Sequence, residues 1–133
     1  MKNQIIAIKV AGFITCFFSV FHLLFYWILN WKVALHCLNS DNWAIFHAFN
    51  FGMNMMFILF TIISLFMTKK LLTETIGKVM LVFMSSIFVM RILSEFILWK
   101  FTLEQSPAII ILCIIPAILY VIPLFSKPKT QIL

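Results

Sequence analysis

Four long apolar runs, separated by short polar interruptions, organise this chain. They cover approximately residues 5–31, 43–67, 76–99 and 107–125. Each is close to the roughly 20 residues a helix needs to cross the hydrocarbon core of a bilayer. The second run follows the polar stretch Asn39, Ser40, Asp41 and Asn42, which offers several helix N-caps. The fourth opens with Ser106 and Pro107, a capping residue followed by proline at the first helical position. Pro116 and Pro123 lie inside that run and should bend or loosen it. The connections are short, so neighbouring helices should be antiparallel. Four runs cannot close a spanning β-barrel. The pattern therefore predicts an all-α integral membrane protein: an antiparallel four-transmembrane-helix bundle forming a single domain over 1–133.

Composition agrees. The chain is 64% hydrophobic and 11% charged, against roughly 45–50% apolar residues in soluble domains. A soluble fold of this size has no interior large enough for sixteen Phe and eight Met. The formal net charge of +6 does not point to nucleic acid, because the basic residues form no stripe on one face. They lie mostly between apolar runs, where they act as topology signals. Lys2, Lys9, Lys69, Lys70, Lys78, Lys127 and Lys129 fall on one side and only Lys32 and Lys100 on the other. By the positive-inside rule both termini should be cytoplasmic. Trp27, Trp31, Trp43 and Trp99 all map to the opposite end, as an interfacial aromatic belt would.

The first apolar run is longer than the roughly 7–15 residues of a signal-peptide core and no small-x-small cleavage site ends it, so it reads as a retained span. Cys16, Cys37 and Cys113 form no C-x-x-C pair. That argues against a disulfide framework, a zinc ribbon or a disulfide-forming membrane enzyme. Cys16 and Cys113 read as small packing residues inside apolar runs, and His36 as a loop residue facing water.

Contacts between helices in lipid favour small and polar residues. Helical spacing gathers Gly12, Thr15, Cys16, Ser19, His22 and Tyr26 into one stripe on the first helix. It does the same for His47, Asn50, Asn54, Thr61 and Ser64 on the second, and for Gly77, Met84, Arg91 and Glu95 on the third. The fourth offers Cys113, Pro116 and Tyr120. Phe and Ile crowd the remaining faces, as lipid-facing surfaces should.

Depth relative to the tryptophans brings His22, His47, Asn50, Asn54, Arg91 and Glu95 to a similar level in the outer half of the bilayer, at 1.5 Å per helical residue. Ionisable groups in a bilayer are costly and persist mainly when paired or used. These six are thus the candidate ligand pocket. Arg91 and Glu95 are four residues apart and can pair on their own helix. One reading makes the cluster interhelical glue. In another, Arg91 receives an anionic or carbonyl-bearing ligand while Glu95 or a histidine exchanges protons. His22, His47 and Glu95 would make a two-histidine, one-carboxylate metal set, but no local spacing supports it and Arg91 would repel the cation. His22 and His47 could also be axial ligands of a haem, though three glycines leave little room for a porphyrin. No catalytic residue or cofactor is specified by any motif.

The expectation is a multi-pass protein of a bacterial cytoplasmic membrane with a binding, accessory or transport-related role. The alternative is a small membrane enzyme acting on a lipid or quinone-like substrate. The bilayer is the one expected partner, nucleic acid is not, and a translocation path would call for a homodimer or larger complex.

Overall fold

The computed structural model describes residues 1–98 and 106–125 of the 133. Within them the chain forms α1 (Lys2–Ile28), α2 (Trp31–Ala34), α3 (Ser40–Phe66), α4 (Thr68–Thr73), α5 (Thr75–Ile97) and α6 (Ser106–Phe125), and no strand. Four of these helices, α1, α3, α5 and α6, are long and apolar enough to cross a membrane. These four helices overlap the runs of residues 5–31, 43–67, 76–99 and 107–125, the first run continuing past α1 into α2. Trp99, Lys100, Lys127 and Lys129, used above for depth and orientation, lie outside the described residues.

Two short helices depart from the expected pattern. α1 stops at Ile28, and Asn30 takes a left-handed conformation (φ 46°), which its short polar side chain tolerates. The turn starts α2 at Trp31, whose indole is 4% exposed and packs edge-on against Phe25 and Phe46. Trp31 is thus an inward-facing residue, whereas Trp27 is 71% exposed, as an interfacial belt would need. At the other end of α3, Thr68 donates its hydroxyl proton to the Ser64 carbonyl where α3 passes into α4. Gly77 lets α4 lie against the start of α5, since a Cβ there would collide with the Lys70 and Leu71 backbone.

Asn39 caps α3, its side chain accepting from the Asn42 backbone N–H at 2.8 Å. α6 is continuous through Pro116 and Pro123. Gln4 of α1 donates to the Pro123 carbonyl at 3.3 Å, one of the last-turn acceptors that a helix cannot satisfy internally.

α1 packs on both α3 and α6, and α5 packs on α6. Gly12 faces Ser64, Ser19 meets Asn54 and His22 meets Asn50, so residue numbers rise along α1 as they fall along α3. Ser85 to Ala117 and Glu95 to Ser106 show the same opposed sense between α5 and α6. Rings of Phe18, Phe57 and Phe88 join α1, α3 and α5.

The expected inward stripes largely coincide with burial. Gly12, Thr15, Ser19, Asn54, Ser64, Gly77, Met84, Glu95, Cys113, Pro116 and Tyr120 are buried, while Phe13, Phe17, Phe49, Phe51 and Ile111 are exposed. Cys16 and Tyr26 are exceptions on α1: both are exposed, because the narrow α1 contact centres on Gly12, Thr15 and Ser19.

Candidate functional site

The polar residues of α1 and α3 are laced together along one seam. Ser19 Oγ donates to Asn54 Oδ1 at 2.7 Å. One turn along, His22 and Asn50 exchange two contacts: His22 Nδ1 lies 3.0 Å from Asn50 Oδ1, and Asn50 Nδ2 donates to the His22 carbonyl at 3.3 Å. An amide oxygen only accepts, so Nδ1 carries the proton on His22. The imidazole is flanked by Phe25 and Phe57, with ring centroids 4.3 and 5.1 Å away.

His47, one turn before Asn50, sits in an aromatic box. Trp43 lies 4.0 Å away between ring centroids, Trp31 5.3 Å and Tyr26 6.1 Å. The Asn30 turn is what returns Trp31 to this position. His47 Nε2 is shut off from solvent and has no hydrogen-bond partner among the described residues. A buried polar atom left in this state costs on the order of 1–3 kcal/mol. His47 also borders a cleft of about 320 Å³ between α1 and α3, with Tyr26, Trp27, Trp31, Asn50, Phe51 and Asn54 among its walls. The hydroxyl of Tyr26, itself 39% exposed, and the Asn54 amide nitrogen also have no hydrogen-bond partner among the described residues, but of these groups only His47 Nε2 is shut off from solvent. Leu23, Trp27 and Phe51 are exposed, so the cleft opens on the outer surface of the helix pair. Its lining carries no carboxylate, guanidinium or ammonium group.

Arg91 and Glu95 form a separate assembly at the α5–α6 contact. Arg91 Nη1 donates to Glu95 Oε2 at 2.7 Å, and Ser106 Oγ donates to Glu95 Oε1 at 2.8 Å. Arg91 also reaches Ser94 Oγ at 3.2 Å. Both carboxylate oxygens are engaged and the residue is 2% exposed. Ser106 is the first residue of α6, so the Glu95 charge lies near the positive end of that helix's dipole.

Of the six residues singled out from the sequence, His47, Asn50 and Asn54 border one cleft, and His22 holds Asn50 from behind. Arg91 and Glu95 do not line it. Among the described residues no three histidine, cysteine or carboxylate side chains converge, so the alternative set of His22, His47 and Glu95 is not assembled. The two imidazoles weighed as haem ligands are each packed on rings of the chain itself.

Tyr26, Trp31 and Ser106 were missing from the candidate site. Tyr26 carried a signal, its place on the α1 stripe. Trp31 and Ser106 carried none, since the Asn30 turn and the α5–α6 contact are tertiary features.

Comparison with protein-family models, with curated proteins and with solved structures finds no match.

Proposed function

We propose that the chain is a small multi-pass membrane protein, an antiparallel four-helix bundle with both termini cytoplasmic, that binds a small amphiphile in the α1–α3 cleft. The observation that carries the reading is that His47, Tyr26 and Asn54 border one cleft, and each has a side-chain polar atom without a hydrogen-bond partner among the described residues. An uncharged lining suits a neutral ligand. The amide nitrogen donates, the phenol and imidazole can donate or accept, and so carbonyl or hydroxyl groups on the ligand would be satisfied. Trp27, Trp31 and Phe51 offer ring surfaces to a flat head group. The exposed mouth is consistent with entry from the bilayer. A binding, accessory or transport-related role fits this site, whereas Glu95, held at both oxygens, has little freedom for acid–base work.

Decylubiquinone is a suitable probe: neutral, flat-headed, amphiphilic and a quencher of indole fluorescence. Titrated into the purified full chain in nonionic detergent, it should quench saturably through Trp27 and Trp31, and the saturable part should vanish in His47→Phe. Linear, partition-type quenching that is the same in both proteins would refute the reading.

A further inference from the structure

A second cleft, at the opposite end of α1 and α3 from His47, carries charge of one sign. It measures about 440 Å³ and lies between the first part of α1 and the junction of α3 with α4. Lys9, Lys69 and Lys70 border it, with Thr68 beside them and Ile5 and Phe66 among its apolar walls. None of the three ammonium groups has an ion-pair or hydrogen-bond partner among the described residues. The arrangement depends on the chain turning into α4 directly after Phe66, which brings Lys69 and Lys70 back over the side of α1 that carries Lys9.

Depth fits the same end of the bundle. α1 has 27 residues, about 40 Å at 1.5 Å per residue, against a hydrocarbon core of about 30 Å. Lys9 lies seven residues from the start of α1, about 10 Å along the axis, where the excess length ends. The lysines therefore belong at headgroup level and the apolar wall below them at the level of acyl chains.

We infer that this cleft is a binding site for one anionic phospholipid, its phosphate held by Lys9, Lys69 and Lys70 and an acyl chain laid against Ile5 and Phe66. Three unpaired cations around a single opening complement a phosphate, and the apolar wall distinguishes a lipid from a soluble anion. The site differs from general attraction to an acidic leaflet in requiring Lys9, which is sixty residues from Lys69 in the chain.

The test uses the full chain in nonionic detergent with tail-labelled phosphatidylglycerol and phosphatidylcholine. Wild type should prefer phosphatidylglycerol, and each of Lys9→Gln, Lys69→Gln and Lys70→Gln should lower that preference on the order of fivefold. Lys2→Gln, away from the cleft, should leave it unchanged. Lys9→Arg, Lys69→Arg and Lys70→Arg combined, which keep all three charges, should retain it, and that outcome would show that the fold survives substitution there. Equal binding of the two lipids by wild type would overturn the inference, as would Lys9→Gln behaving like Lys2→Gln. Displacement of the lipid by millimolar inorganic phosphate would also overturn it, assigning the cleft to a soluble phosphate.

Discussion

The hydroxyl oxygens of Tyr120 and Thr15 meet at 2.9 Å in the fully buried centre of the molecule. Proton accounting fixes the direction. Thr15 gives its one proton to the Ala11 carbonyl at 2.8 Å, so Tyr120 must donate to Thr15. Ser64, 3.0 Å from Tyr120 Oη, must then donate to Tyr120. Three helices, α1, α3 and α6, are thereby tied at one point by groups that an apolar surrounding leaves no alternative partners.

Tyr120→Phe should lower the thermal stability of the protein in detergent by about 1–2 kcal/mol, because Ser64 loses its acceptor and Thr15 its second partner. A double-mutant cycle with Thr15→Val should give a coupling of about 0.6 kcal/mol, the mean for interhelical hydrogen bonds in a membrane protein, and no more than about 1.7 kcal/mol. Zero coupling would mean that the two hydroxyls do not meet.

Glycine substitutions separate a packed helix face from an open one. A Cβ on Gly12 would sit 2.8 Å from Ser64 Cβ and 3.1 Å from Leu65 Cδ2. Gly12→Ala should therefore push α1 off α3 and cost about 1–3 kcal/mol. Gly52 has nothing within 4 Å of the equivalent position, so Gly52→Ala should be neutral or gain about 0.5–1 kcal/mol from reduced backbone freedom. Thermal unfolding should show a loss of stability for Gly12→Ala and none for Gly52→Ala.

For the α5–α6 contact, Arg91→Leu alone should destabilise more than Arg91→Leu combined with Glu95→Leu, since the single change strands a carboxylate that is 2% exposed. The difference should be roughly 2 kcal/mol, below the 3–5 kcal/mol typical of breaking a fully buried pair, because Ser106 still serves one oxygen and the Arg91 side chain is 32% exposed. Equal midpoints for the two variants would contradict this account.

The proposed orientation is open to a cysteine test. Cys37 is exposed in the α2–α3 connection, Cys16 is exposed partway along α1 and Cys113 is buried. With both termini cytoplasmic, a membrane-impermeant maleimide applied to intact cells should label Cys37 alone, since Cys16 faces acyl chains. Labelling that requires cell disruption would reverse the orientation.

The apolar runs made the four long helices legible because hydrocarbon leaves the backbone one local solution, a helix with its hydrogen bonds closed within itself. The inward faces were legible for a related reason: small and polar residues at helical spacing marked Thr15, Ser19, Asn54 and Tyr120. How the polar residues partition between neighbours was not legible. Depth alone put His22, His47, Arg91 and Glu95 together, but depth carries no azimuth. Asn50 and Asn54 turn toward α1, whereas Glu95 turns toward Ser106 on α6. The box around His47 depends on one left-handed residue, Asn30, that no periodicity announces.

His47 distinguishes a binding site from glue. Glue residues are satisfied, and their removal costs stability. His47 Nε2 is buried without a partner, so His47→Phe should leave the thermal midpoint unchanged or raise it, by up to about 1–3 kcal/mol once the desolvated nitrogen is gone. Asn50→Leu, which breaks two contacts to His22, should lower it.

Native mass spectrometry of the full chain, extracted in mild detergent from the membranes in which it is made, addresses the cleft most directly. The account predicts one retained small neutral molecule per chain in wild type, absent from His47→Phe and still present in Arg91→Leu with Glu95→Leu. A wild-type mass equal to that of the bare chain, with added decylubiquinone retained no better than by His47→Phe, would contradict it.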